Sequence, residues 1–122
     1  MSNTFTKLPT RNEIPEDYTW RLEDMFTTDQ EWEKQFTFVK EALPTVSNFK
    51  GTLKESAENI VKLLKFQDDL SIKLGQLATY AFMRNDQDTT NSVYQGLKGR
   101  IDSLVSQFSA AFSFVVPELL SI

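Results

Sequence analysis

The sequence predicts an all-α fold, in which a long antiparallel helical hairpin spans about residues 56–85 and 90–116. A shorter helix over about residues 28–47 and an extended N-terminal arm precede it. The hairpin is predicted because two stretches carry apolar residues at alternating steps of three and four, which is typical of closely paired helices. A short polar loop joins the two stretches, so the helices should run antiparallel.

The arm, residues 1–27, contains Pro9 and Pro15 and shows no sustained hydrophobic period. A tail without a structural role would carry few large apolar residues, but this arm carries several. We therefore expect it to pack on the helices through Ile14, Tyr18, Trp20, Leu22, Met25 and Phe26.

The first helix should begin near Thr28, because Thr28 and Glu31 have the spacing of a capping box. A single apolar stripe then follows at helical spacing, formed by Trp32, Phe36, Val39 and Leu43. Pro44 lacks a backbone donor, so the helix should kink or end there, with one further turn to about residue 47.

The second helix should be capped by Ser56, and its apolar seam is Ile60, Leu63, Gln67, Leu70, Leu74, Leu77 and Ala81. The seam of the third helix is Tyr94, Leu97, Ile101, Leu104, Phe108, Ala111 and Val115. Pro117 should mark a kink or a boundary at its end. Gly96 and Gly99 either allow a neighbouring helix to approach closely or are simply tolerated, and the second interpretation is favoured.

Apolar residues remain outside these seams, at Val93, Val105, Phe112, Phe114 and Val116. Three helices cannot easily cover all of them, and the sequence closes on the apolar run FVVPELLSI. We therefore expect residues 1–122 to form one segment of something larger, and to self-associate when isolated.

The composition disfavours several classes of protein. The net charge is −4 and the 13 basic residues are scattered, so nucleic acid is not expected as a partner. No unbroken run of about 18 apolar residues suggests a membrane span. Since the N-terminus lacks the apolar core of a secretory signal and cysteine is absent, a cytoplasmic location is expected.

The chain contains no histidine and no cysteine. Catalytic triads built on His, HExxH zinc motifs and His/Cys metal clusters are therefore excluded from these 122 residues. We predict no catalytic, cofactor-binding or metal-binding residues in this chain.

The loop between the long helices resembles the start of a calcium loop, with oxygen-bearing side chains at alternating positions: Asp86, Asp88, Thr90 and Ser92. An EF-hand also needs Gly at position 6 and Glu at position 12. Here those positions hold Asn91 and Leu97. The sequence therefore favours a turn whose polar side chains cap the third helix.

The other acidic pairs are also better explained without catalysis. Asp68 and Asp69 are adjacent on a helix and point about 100° apart, so they should lie on a solvated face. Glu23 and Asp24 should accept hydrogen bonds from nearby backbone.

Two aromatic residues flank the turn, Tyr80 and Tyr94. They are expected either to pack together or to contact a ligand, and packing is favoured. Arg84 lies between them in the sequence and should form a structural salt bridge with the loop carboxylates.

Several segments together resemble the N-terminal region of the oligoendopeptidase F family of thimet-oligopeptidase-like zinc peptidases. They are LPTRNEIPEDYTWRLEDMF (8–26), EWEKQF (31–36), FKGTL (49–53), YAFMRNDQDTTNSVYQGL (80–97) and SFVVPELLSI (113–122). None of them is a catalytic signature. The resemblance covers essentially the whole chain.

The resemblance implies a cytosolic parent enzyme that cuts short peptides in an internal channel, with zinc held by an HExxH motif and a downstream Glu beyond Ile122. This chain would help to wall that channel, and the rest of the parent would cover its exposed apolar helix faces. The alternative is an autonomous helical-bundle module that binds a protein partner through the same faces and has no enzymatic activity.

Overall fold

The computed structural model describes residues 7–122, and residues 1–6 of the predicted arm lie outside the described part. Its α-helices are α1 (Asp29–Ala42), α2 (Ala57–Gln87), α3 (Ser92–Ala111) and α4 (Val115–Leu120). Short 3-10 helices occupy Arg11–Glu13, Glu16–Tyr18, Leu22–Asp24 and Leu43–Phe49. No strand occurs between residues 7 and 122, so the predicted all-α class is confirmed.

The long helices α2 and α3 form the predicted hairpin, with α1 packed alongside α2. The core lies along the predicted seams, and its buried members on α2 and α3 are Leu63, Leu70, Leu74, Leu77, Ala81, Leu97, Ile101 and Leu104. The indole of Trp32 on α1 donates to the carbonyl oxygen of Leu77 over 3.0 Å, which fixes the height of α1 on α2.

The start of α1 forms half of the predicted capping box. The Thr28 hydroxyl accepts from the Glu31 backbone N–H at 3.2 Å. The Glu31 carboxylate pairs with Lys34 at 3.1 Å, one turn along the helix. The α-helix ends at Ala42, just before Pro44, and the chain continues as the 3-10 helix Leu43–Phe49.

The third helix is shorter than predicted, because α3 ends at Ala111 and a turn at residues 112–114 separates it from α4. Pro117 supplies no N–H and its ring would clash with the carbonyl of Ser113, four residues earlier. The break therefore falls one turn upstream, which places Pro117 in the first turn of α4, where no backbone donor is required.

This break also buries Phe112, which the seam pattern had left outside the core. Phe112 is 6% exposed, and its ring centroid lies 4.7 Å from that of Phe108 and 6.5 Å from that of Phe66. The carboxylate of Glu118 on α4 accepts from the Leu53 backbone N–H at 3.3 Å. The C-terminal turn is thus tied back to the segment between α1 and α2.

The arm packs through fewer residues than predicted. Leu22 and Phe26 are buried, and the Phe26 ring meets Tyr80 edge-on at 5.2 Å. Ile14 is half-buried. The prediction was wrong for Tyr18 and Trp20, which are 83% and 78% exposed, and for Met25, which is 37% exposed.

One segment, Ser92–Leu120, is long and apolar enough on average to cross a membrane, and 17% of its most apolar window is buried. This is weak evidence for a membrane span, because length and composition alone also select helices of soluble proteins. The break between α3 and α4 falls within this segment. The expectation of no membrane partner stays a prediction.

Candidate functional site

The loop between α2 and α3 is built from side chains that accept backbone hydrogen bonds. Asp88 Oδ1 accepts from the backbone N–H of Thr90 at 3.1 Å and from its hydroxyl at 2.5 Å. Asn91 caps α3, and its Oδ1 accepts from the N–H groups of Val93 and Tyr94 at 2.9 and 3.3 Å. The cap-and-turn interpretation is confirmed.

The alternating oxygen ligands of a calcium loop do not share one loop. Asp86 lies in the last turn of α2, which runs two residues beyond the predicted end at about 85, and Ser92 is the first residue of α3. Across residues 7–122, no three acidic side chains lie close enough to hold a metal ion. Asp68 and Asp69 are both exposed, as expected of a solvated face.

Arg84 lies near the rings of two tyrosines. Its guanidinium carbon is 5.1 Å from the centroid of Tyr80 and 5.9 Å from that of Tyr94. The two tyrosines thus share a cation as well as flanking the turn. The predicted salt bridge to the loop carboxylates is wrong, because the partner of Arg84 is Glu23 of the arm, at 3.5 Å.

The electrostatics of this cluster follow from its packing. Burial raises the pKa of Tyr80, and the hydrogen bond from its hydroxyl to Asp29 at 2.7 Å raises it further. Glu23 has a lowered pKa because its own backbone N–H and the charge of Arg84 favour the carboxylate. Burial lowers the pKa of Arg84, but the two tyrosines and Glu23 favour its charged form more strongly, so the pKa of Arg84 is raised overall. The cluster ties the arm and α1 to the hairpin.

A second charged pair, which the sequence analysis missed, joins α1 to α3. Arg100 binds Glu33 through two nearly parallel hydrogen bonds of 2.5 and 2.7 Å. The guanidinium carbon also lies 4.4 Å from the Phe36 ring centroid and 5.2 Å from that of Trp32. The hydrogen bond and charge of Arg100 lower the pKa of Glu33. No sequence signal marks this pair, because 67 residues separate its members.

A groove of about 310 Å³ runs between the arm and the end of α2. Its lining mixes charged, aromatic and apolar side chains: Arg11, Tyr18, Thr19, Trp20, Met83, Asp86 and Gln87. This is where the arm residues that failed to pack on the core are found.

Apolar side chains also stay exposed on the helices. On α2 they are Val61, Leu64 and Ile72, and towards the C-terminus they are Val93, Val105, Val116, Leu120 and Ile122. Apart from its chain neighbours and the backbone of its own helix, a Cβ atom added at Gly75, Gly96 or Gly99 would meet no atom within 4 Å. These glycines therefore do not serve close helix packing among residues 7–122.

No family model matches the chain. Among curated proteins, it is 47% identical over 116 residues to Oligopeptidase PepF of Bacillus subtilis (strain 168), covering 95% of this chain and 17% of the relative. It is 41% identical over 111 residues to the chromosomal Oligoendopeptidase F of Lactococcus lactis subsp. cremoris, covering 90% of this chain and 18% of that protein.

The fold also matches a solved structure, the crystal structure of oligoendopeptidase-F from Enterococcus faecium. The TM-score is 0.71 at 34% sequence identity, over 78% of this chain and 19% of the solved chain. The chain thus spans less than a fifth of each of these three relatives. The matched part is the N-terminal region of the relatives. In sequence and in fold, the chain corresponds to the N-terminal region of the oligoendopeptidase F proteins.

Proposed function

We propose that this chain is the N-terminal, non-catalytic helical segment of a zinc-dependent oligoendopeptidase. The parent hydrolyses short peptides in an internal channel, and this segment helps to form the wall of that channel. One observation carries the proposal: the match to Oligopeptidase PepF covers 95% of this chain but only 17% of the relative. A nearly complete match to a small part of a larger protein supports a segment.

The zinc of the proposed parent would be held outside this chain. Zinc sites in peptidases use His nitrogen together with carboxylate oxygen, and this sequence contains no His and no Cys. The carboxylates in the described part of the chain form no cluster of three. The side chains present therefore do not fit a zinc site, and no step of hydrolysis is assigned to them.

The exposed apolar side chains of α2 support packing against the rest of the parent. Ile72 is 62% exposed, Val61 49% and Leu64 42%. The three lie on the outer side of α2 at helical spacing, around the exposed Asp68. Covering such side chains removes apolar surface from water, which stabilises the covered state by about 25 cal/mol for each Å² buried. We propose that the remainder of the parent covers this face, and that the parent is cytoplasmic.

A chimera tests the proposal. The N-terminal region of Bacillus subtilis Oligopeptidase PepF would be replaced by this chain, with peptide hydrolysis as the readout. We expect an active chimera. A version carrying Ile72→Asp should lose activity, because the change removes an apolar contact and adds a second carboxylate one turn from Asp68. Thr37→Asp adds the same charge at an exposed position of α1, outside this face, and should preserve activity.

Two outcomes would contradict the proposal. An inactive chimera whose helical content matches that of the parent enzyme would favour the alternative, an autonomous helical-bundle interaction module without enzymatic activity. Peptide hydrolysis by the rigorously purified 122-residue chain with added zinc would show that the segment is itself catalytic.

The isolated chain should also self-associate through the uncovered faces. We expect sedimentation velocity to show an average mass that rises with concentration, and Ile72→Asp to reduce that rise. A concentration-independent monomer would argue against an interface on α2.

A further inference from the structure

The groove between the arm and α2 contains two opposite charges. Arg11 comes from the first 3-10 turn of the arm, and Asp86 from the last turn of α2. The four ion pairs found among residues 7–122 involve neither of them. Because both side chains line the same groove, a ligand entering it would meet a free cation and a free anion.

Two aromatic rings share the groove with these charges. Tyr18 and Trp20 are 83% and 78% exposed, although Leu22 and Phe26 a few residues along the arm are buried. The described part of the arm therefore holds two highly exposed rings beside the groove, and the residues that follow anchor it. A ligand that covers those rings would remove a large apolar surface from water.

We propose that this groove binds a short peptide with free termini, with its α-carboxylate at Arg11, its α-ammonium group at Asp86 and an apolar side chain against Trp20. A guanidinium binds a carboxylate through two parallel hydrogen bonds. The ammonium group is favoured twice, by the carboxylate of Asp86 and by the negative end of the 31-residue helix α2.

The size of the groove favours a peptide of two or three residues. Its volume of about 310 Å³ is close to the lower limit of roughly 300 Å³ for ligand pockets. The groove is open to solvent on one side, so we expect weak binding, with a Kd on the order of 1 mM. The choice of a peptide among zwitterionic ligands rests on the proposed function.

The test uses the 122-residue chain and the tripeptide Ala-Leu-Ala, which has no aromatic group of its own. Binding is followed by the NMR signals of the two indole N–H groups. The Trp20 signal should shift on titration, whereas the Trp32 signal should not, because its indole is buried and donates to Leu77.

Two substitutions and two capped peptides separate the contributions of the termini. Arg11→Gln and Asp86→Asn should each weaken binding of the free peptide about tenfold, the size expected for a hydrogen bond to a charged group. Arg11→Gln should have no further effect on a C-amidated peptide, and Asp86→Asn none on an N-acetylated one. Lys65→Gln and Asp69→Asn remove the same charges from exposed positions on α2 and should leave the affinity unchanged.

Three results would overturn the proposal. One is the absence of any Trp20 shift at saturating peptide. Another is equal affinity for free and fully capped peptides, which would mark the groove as an apolar docking face for another part of a protein. The third is an equal loss of affinity in the Lys65 and Asp69 variants. None of these results bears on the activity of the chimera, so failure here is distinguishable from failure of the proposed function.

Discussion

The two tryptophans of the chain differ sharply in their exposure to solvent. Trp32 is completely buried, stacks on Phe36 at 5.1 Å and donates to Leu77. Trp20 is 78% exposed and lies at the edge of the arm groove. They are twelve residues apart in the sequence, and the difference arises from what surrounds each indole.

The two indoles belong to two regions of the molecule, which we call the closed region and the open region. The closed region is the core between α1, α2 and α3, where the apolar faces of the helices cover each other. The open region comprises the arm groove and the outer face of α2, where large apolar side chains contact solvent. Burial within this chain accounts for the closed region. The open region makes sense as a surface that binds something else.

The largest expected effect is the loss of stability when Trp32 is replaced by alanine, compared with the same change at Trp20. Trp32→Ala should reduce the free energy of unfolding by about 3–5 kcal/mol, because it leaves a large cavity in the core and removes the indole hydrogen bond to the Leu77 carbonyl. Trp20→Ala should change it by less than about 0.5 kcal/mol. Urea denaturation followed by circular dichroism measures both. A large loss in the Trp20 variant would mean that the arm belongs to the closed region.

The next effect concerns the joint between the two regions. Arg84→Met keeps the apolar part of the side chain. It removes the guanidinium that lies near the rings of Tyr80 and Tyr94 and pairs with Glu23. We expect a loss of about 1–2 kcal/mol, since the Arg84 side chain is only 18% exposed.

Hydrogen exchange locates that effect. The amides of Met25 and Phe26, which bond to the Leu22 carbonyl at 3.0 and 3.3 Å, should exchange faster in the Arg84→Met variant. Arg21→Met is the matched control, because Arg21 is 77% exposed and its ion-pair partner among residues 7–122 is Asp24, inside the arm. Equal acceleration in both variants would show that Arg84 does not hold the arm.

The closed region was largely predictable from the sequence. Period-three-and-four spacing placed Leu70 and Leu77 on one seam and Ile101 and Leu104 on the other, and all four are buried. Such spacing works because each seam residue faces the core regardless of its partner. The sequence predicts the end of α3 at about residue 116, but the helix ends at Ala111. The reason is that the ring of Pro117 would clash one turn upstream, with the carbonyl of residue 113.

The open region and the charged contacts were not predictable in the same way. Hydrophobic periodicity does not indicate which charged residues will pair when 67 residues separate them. The sequence therefore does not predict the pair of Arg100 and Glu33. An irregular arm has no period at all. Apolar character alone therefore suggested that Trp20 would pack, whereas the structure leaves it exposed.

A smaller effect is expected at the turn that ends the closed region. Asn91→Ala removes the acceptor for two backbone N–H groups at the start of α3, and should cost about 1 kcal/mol in urea denaturation. Asn48→Ala, at an exposed position, serves as its control. Calcium titration of the unchanged chain by calorimetry should give no binding heat, and micromolar affinity would overturn the capping interpretation of this loop.

The smallest effect is predicted for Glu33, at the rim of the closed region. Glu33→Gln should cost less than about 1 kcal/mol at neutral pH, since 44% of the Glu33 side chain and 43% of the Arg100 side chain are exposed to solvent. Because folding lowers the pKa of Glu33, its contribution is present above the unfolded pKa and is lost as pH falls through the folded pKa. The unfolding free energies of the two proteins should therefore converge in acid.

Denaturation at several pH values below neutrality measures that convergence, with Glu41→Gln as a control at an exposed position of the same helix. A difference that persists unchanged in acid would mean that the carboxyl of Glu33 acts through packing rather than charge. In that case Arg100 would be held mainly by the rings of Phe36 and Trp32, at 4.4 and 5.2 Å. The charged rim of the closed region would then be an extension of its aromatic core.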